Sequence, residues 1–159
     1  TGGFTQVLLQ HGASCVVALD VGHDQLAPEL RRDARVVNLE NTDIRYLSAD
    51  EFDKRFDMIT VDVSFVSLRH ILPCLPPLLK PKNHCVFLIK PQFEPNRKAL
   101  NKKGIVTEPR LRKRAVAEIT EFTENLGFRV KGVTESPIQG GDGNTEYLLC
   151  AEYFVPRES

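Results

Sequence analysis

The sequence has no C-x-x-C pair, no net charge and no long apolar run, and each absence removes a class of function. Its four cysteines, Cys15, Cys74, Cys85 and Cys150, sit in or beside apolar runs. None of the four histidines stands at metal-ligand spacing from them, so no zinc site or other metal is expected. The same placement reads as buried, reduced thiols and hence a cytoplasmic protein. No apolar stretch reaches the ~20 residues that span a bilayer, and no signal peptide opens the chain. Lysine plus arginine equals aspartate plus glutamate at 21 each, so global charge predicts no partner. Internal repeats, low-complexity tracts and linkers are also missing. The first residue is Thr1 rather than methionine, as if the chain were cut from a longer protein.

What is present suits one domain, since 159 residues with 42% apolar content can bury a single core. Gly2 and Gly3, followed by Phe4, Val7, Leu8 and Leu9, read as a glycine turn feeding a short helix that ends near Gly12. Cys15 to Leu19 reads as a strand, Gln25 to Arg32 as a helix, and Val36 to Leu39 and Phe56 to Val61 as strands. Leu68, Ile71, Leu72, Leu75, Leu78 and Leu79 recur at helical spacing, although Pro73, Pro76 and Pro77 must break or kink such a helix. His84 to Ile89 is a further strand, Pro91 to Pro109 a long basic loop, and Ala115, Ile119, Phe122 and Leu126 share a helix face closed by Gly127. Phe128 to Thr134 and Glu146 to Tyr153 form a hairpin across a turn-rich connection. This order predicts an α/β, doubly wound, mostly parallel sheet with an antiparallel hairpin at its C-terminal edge. The strand that normally precedes a glycine turn would fall before Thr1, leaving the chain short of its first strand.

Three ionisable residues stand at the ends of apolar runs: Asp62 after Phe56 to Val61, Lys90 after Val86 to Ile89, and Glu146 before Tyr147 to Leu149. Such runs deliver a terminal side chain to the sheet edge, where open α/β folds bind ligands and where proton chemistry concentrates. A buried ion-pair network is the plainer alternative. Gly2 and Gly3, with Asp20 ending the next strand, have the arrangement in which backbone approaches a cofactor and an acid takes the hydroxyls of a ribose. Asp43 follows the third strand, either to read an adenine edge or to cap a turn. From Arg97 to Arg114 stand Arg97, Lys98, Lys102, Lys103, Arg110, Arg112, Lys113 and Arg114 against the single acid Glu108, which is either a solvated helix face or a footprint for a polyanion.

The segments Thr1-Gly2-Gly3-Phe4-Thr5, Ala18-Leu19-Asp20-Val21-Gly22, Thr60-Val61-Asp62-Val63-Ser64-Phe65, Leu88-Ile89-Lys90-Pro91-Gln92-Phe93-Glu94 and Gly143-Asn144-Thr145-Glu146-Tyr147-Leu148-Leu149 together resemble the TlyA family. Its members are S-adenosylmethionine-dependent ribosomal RNA ribose 2′-O-methyltransferases of the FtsJ-like group, often labelled hemolysin A. The resemblance implies a Rossmann-like class I methyltransferase fold over residues 1–159, lacking the first strand and the N-terminal S4-like RNA-binding domain of that family. It also implies a Lys-Asp-Lys-Glu tetrad whose last three members match Asp62, Lys90 and Glu146, the first lysine falling before Thr1. Gly2, Gly3, Phe4, Asp20, Val21, Asp43, Ile44 and Asp62 then bind the cofactor, and Arg97, Lys98, Lys102 and Lys103 bind ribosomal RNA or ribosomal subunits.

A ribose hydroxyl is a poor nucleophile, so methyl transfer from a sulfonium needs a base and in-line positioning. A lysine serves as base when its surroundings lower its pKa, which carboxylates oppose; Lys90 is therefore the candidate base, with Asp62 and Glu146 as orienting groups. Ser64, Phe65 and Gln92 adjoin this set and shape a nucleotide pocket, while the rings of Phe4 and Phe65 are expected in the core. Competing readings are a nicotinamide-dependent dehydrogenase, a catalytically inactive RNA-binding module and a pore-forming hemolysin. The last is disfavoured by the lack of a spanning segment or a long basic amphipathic helix.

Overall fold

The computed structural model describes residues 2–94 and 100–154. Backbone contacts group the chain into two compact units, one ending at Glu51 and the other beginning at Phe52.

In the first unit Gly2 adopts φ 93°, the left-handed region that side chains disfavour, and caps helix α1 (Gly3–Gln10). A Cβ on Gly2 would lie 2.6 Å from the terminal carbons of Leu26 and Leu30, so packing as well as conformation demands glycine. Strand β1 (Val16–Leu19) follows and pairs in parallel with β2 (Val36–Leu39), Val16 opposite Val36 and Leu19 opposite Leu39. Between them helix α2 covers only Pro28–Arg32, shorter than the expected Gln25 to Arg32. Pro28 suits the first helical turn but forces the residue before it into extended backbone, and Ala27 accordingly has ψ 142°.

The second unit contains a four-stranded sheet in the order β3 (Phe56–Val61), β4 (Leu79–Ile89), β6 (Tyr147–Tyr153), β5 (Phe128–Glu135). β3 and β4 are parallel, whereas β6 runs antiparallel to both of its neighbours. The expected C-terminal hairpin forms, but its antiparallel strand is inserted at β4 rather than placed at the edge. Burial explains the order: Leu149 and Ala151 of β6 are fully covered, while β5 exposes Arg129 and Lys131, charges suited to an edge. β4 begins five residues before the expected His84. Its register with β3 jumps from Phe56–Leu79 to Met58–His84, and Lys82 takes φ 66° in the surplus segment.

The leucine-rich stretch expected as a kinked helix is instead three short 3-10 turns, Leu68–His70, Leu72–Cys74 and Pro76–Leu78. Prolines at 73, 76 and 77 withhold the amide donors that a continuous helix requires, yet Leu68, Ile71, Leu72, Leu75, Leu78 and Leu79 are all buried. Helix α3 (Pro109–Asn125) starts on a proline and buries Ile119 and Thr123. Phe87 of β4 meets Phe128 of β5 edge to face at 5.9 Å, closing the core.

The thiols are less uniformly buried than expected. Cys85 is fully buried, and desolvation pushes its thiol up to about 12. Cys74 and Cys150 are half-buried, and Cys15, which lies just before β1, is exposed. Of the stretch expected as a basic loop, residues 100–106 form a small hairpin. Leu100 and Val106 bridge antiparallel, Asn101 Oδ1 accepts the amides of Lys103 and Ile105, and Val106 is buried. Apolar anchoring at Val106 and the Asn101 side chain close this hairpin.

Candidate active site

Parallel pairing of β3 with β4, and the β4–β6 register that sets Ile89 opposite Tyr147, bring three strand ends to one edge of the second unit's sheet. Asp62 follows β3, Lys90 follows β4 and Glu146 precedes β6. The structure therefore gathers all three residues singled out from the ends of apolar runs. Lys90 is only 13% exposed in its side chain, and its Nζ lies 2.6 Å from Asp62 Oδ1. The same ammonium donates to Ser64 Oγ at 3.0 Å. Asp62 is half exposed, so one face of the pair is open to a ligand.

Glu146 is almost fully buried and is held by a different set of contacts. Gln92 Nε2 donates to Glu146 Oε2 at 3.1 Å, linking the segment after Lys90 to the start of β6. The other amide atom, Gln92 Oε1, is buried without a hydrogen-bond partner. Gly140, in the β5–β6 connection that leads into Glu146, leaves room for its carboxylate: a Cβ there would lie 2.8 Å from Oε2. Asp142 sits in this loop. Desolvation raises its carboxyl, but hydrogen bonds from Asn144 and the nearby Lys90 charge together hold it below the usual carboxylate range.

The turn after Asp62 contains the largest departure from expectation. Phe65 is not a core residue: it is 89% exposed and takes φ 63°, a strained conformation for an aromatic. Its ring lies 4.9 Å from that of Phe93, which supports it from the Lys90 side. Phe4, also expected inside, is half-buried. The Phe65 turn is fixed from beneath by Glu94, whose carboxylate accepts from Ser67 Oγ at 2.6 Å and from the Leu68 amide at 3.1 Å. Burial raises the Glu94 carboxyl despite those bonds and the positive charges of Arg69 and His70. Glu94 and Asn144 were not singled out as site residues from sequence. The signal was available only in part, because both lie inside distinctive segments but bond to residues far along the chain.

The first unit carries the cofactor candidates. Gly3 has open space where a side chain would be, and with Gly2 it leaves the first amides of α1 uncovered by any Cβ. Asp20 follows β1 and is exposed, with Oδ1 accepting the Gly22 amide at 2.8 Å. Val21 is exposed, and Ile44 begins a 3-10 turn capped by the Asp43 carboxylate. Arg45 forks onto that carboxylate at 2.6 Å and, with its backbone amide, lowers its pKa; Asp43 thus caps this turn, which leaves its reading as an adenine contact open. These residues fit an adenosyl group: a glycine turn for close backbone approach and an exposed acid at the next strand end.

In the basic stretch, Lys102, Lys103, Arg110 and Lys113 are exposed. Arg112 is half-buried and donates to the carbonyls of Val106 and Thr107, while Arg114 is exposed and pairs with Glu118. Arg97 and Lys98 lie outside the described residues. Among the described residues no cluster of histidine, cysteine or acid could hold a metal ion, and no helix is long and apolar enough to cross a membrane.

Comparisons with known proteins agree with this architecture. A protein named as an rRNA methyltransferase, YqxC of Bacillus subtilis, is 48% identical over 94% of this chain and 53% of its own length. The Mycobacterium tuberculosis protein named 16S/23S rRNA (cytidine-2′-O)-methyltransferase TlyA is 44% identical over 94% of this chain and 56% of its own. The chain thus spans about half the length of these relatives. A solved structure of a hemolysin-named protein from Streptococcus thermophilus superposes with a TM-score of 0.91 at 43% identity, covering 97% of this chain and 56% of that one. Residues 1–153 match the family described as FtsJ-like methyltransferase, to which this chain, with its charged strand ends and mixed sheet, belongs.

Proposed function

We propose that this chain is the methyl-transferring part of an enzyme that modifies a ribose 2′-hydroxyl of ribosomal RNA with S-adenosylmethionine as donor. The observation that carries this reading is Lys90, whose Nζ is held 2.6 Å from Asp62 and 3.0 Å from Ser64 at a sheet edge that also presents Glu146. When bound, the sulfonium cofactor supplies an electrophilic methyl group. Lys90, once its ammonium has lost a proton to solvent, takes the proton of the 2′-hydroxyl as the carbon–oxygen bond forms and the methyl–sulfur bond breaks, releasing the cofactor as its thioether; Asp62 and Ser64 fix the direction of the Lys90 Nζ, and Glu146 holds the acceptor ribose. Gly2, Gly3, Phe4, Asp20, Val21, Asp43 and Ile44 are the candidate cofactor contacts of the first unit, and Asp62 that of the second. Phe65, exposed and strained, offers a face on which a nucleobase can stack, in place of the core role expected of it. Lys102 and Lys103 contribute phosphate affinity, and a ribosomal RNA substrate is consistent with a cytoplasmic protein. The names of the relatives support an RNA ribose as acceptor.

Two measurements on one variant test the assignment. Lys90→Ala is expected to lower 2′-O-methylation of ribosomal RNA by about 100-fold or more, while calorimetry finds its S-adenosylmethionine affinity close to that of the parent. A variant that methylates at the parent rate removes Lys90 from the role of base, and a parent that binds no S-adenosylmethionine favours an RNA-binding module.

A further inference from the structure

Asn144 is 1% exposed, and its side chain is fully engaged. Its Oδ1 accepts from the Val106 amide at 2.9 Å, and its Nδ2 donates to the Gly104 carbonyl at 3.0 Å and to Asp142 Oδ2 at 2.8 Å. The first two bonds reach into the basic hairpin about forty positions earlier, on either side of Ile105. Ile105 itself faces Gly143, where a Cβ would stand 3.7 Å from its terminal carbon. On its own side Asn144 is bound into a tight turn: its amide donates to Asp142 Oδ1 at 3.0 Å, and its carbonyl accepts from Gly140 at 2.9 Å. Gly140 is the residue whose lack of a side chain leaves room for the Glu146 carboxylate. A chain of hydrogen bonds therefore runs from the hairpin bearing Lys102 and Lys103, through one buried amide, to Gly140, the glycine that leaves room for the acid at the start of β6.

We propose that Asn144 is a positioning residue that couples phosphate binding on the Leu100–Val106 hairpin to the placement of Glu146, so that RNA engagement sets the acceptor-holding acid. The substrate class follows from Proposed function, on which this inference rests. A buried amide suits this task because every bond it makes is directional, and any shift of the hairpin must either break a bond, leaving Val106 N–H or Gly104 C=O unpaired in the interior, or carry the turn with it. A merely structural role would require only that the hairpin be covered, which Val106 and Ile105 already provide through apolar contact.

The test uses the full chain with purified ribosomal RNA as probe. Hydrogen exchange is measured with and without RNA, alongside single-turnover methylation at saturating RNA. In the parent, RNA slows exchange both at 100–106 and at 140–146. In Asn144→Ala the two segments respond independently, and the saturated rate falls by about tenfold or more without a matching loss of RNA affinity, as expected for a misplaced reacting group. Should that variant fail to fold, Lys102→Glu with Lys103→Glu, both at exposed positions, must lower the saturated rate as well as RNA affinity. The coupling is overturned if RNA leaves exchange at 140–146 unchanged in the parent, if folded Asn144→Ala keeps the parent rate and linked exchange, or if the lysine variant loses affinity alone. A parent that shows linked exchange yet no methylation overturns the proposed reaction while leaving the coupling supported.

Discussion

Glu94 shows how a single carboxylate can serve geometry at some cost to stability. It pins the Ser67–Leu68 turn that presents Phe65, and burial raises its pKa above the ordinary value of 4.5. A carboxyl raised in the folded state favours folding most below the unfolded pKa, and that contribution is lost as pH rises through the folded value. Glu94→Gln keeps an acceptor for the Leu68 amide and removes the buried charge. Its melting temperature is therefore expected to fall less than that of the parent between pH 4.5 and neutrality. Thermal unfolding across that range checks the sign, and identical pH dependence in both proteins would mean that Glu94 does not carry it. Lys90 and Glu146 differ from Glu94 in their legibility. Each ends or begins an apolar run and was found from local pattern, whereas Glu94 bonds 27 positions back along the chain, beyond any periodicity.

At the scale of elements, the loop joining β5 to β6 behaves as part of the site rather than as a connection. Its glycines are not equivalent. A Cβ at Gly140 would meet Glu146 Oε2 at 2.8 Å and Asp142 Oδ1 at 3.1 Å, while one at Gly141 meets nothing within 4 Å. Gly140→Ala is expected to displace the Glu146 carboxylate and cut 2′-O-methylation by about tenfold or more, with Gly141→Ala near the parent rate. Equal rates for the two would show that Glu146 moves aside without consequence. The elements also show where sequence periodicity misleads. Leucines at helical spacing from 68 to 79 are buried as a helix face would be, but prolines divide the segment into 3-10 turns. Apolar spacing reports which residues face the core, and backbone donors decide the form they take.

At the scale of the whole molecule, charge neutrality conceals a local excess of cations in the hairpin and at the start of α3. Among the described residues Lys102, Lys103, Arg110, Lys113 and Arg114 are exposed, whereas Arg112 is half-buried and ties α3 to the hairpin through the Val106 and Thr107 carbonyls. Lys102→Glu with Lys103→Glu is expected to weaken ribosomal RNA binding and to flatten its dependence on salt by about one unit of logarithmic slope per lysine. Filter binding across a salt series measures this, and an unchanged slope would assign the hairpin lysines to a solvated face. Composition and local pattern were sufficient for the α/β class, the glycine turn at Gly2, the three charged strand ends and the basic stretch, because each depends on residues within a few positions of one another. The insertion of β6 between β4 and β5, the outward turn of Phe65, the clasp of Gln92 on Glu146 and the hub at Asn144 could not be read that way. They arise from contacts between residues 27 to 68 positions apart, and sheet register and burial alone bring such residues together.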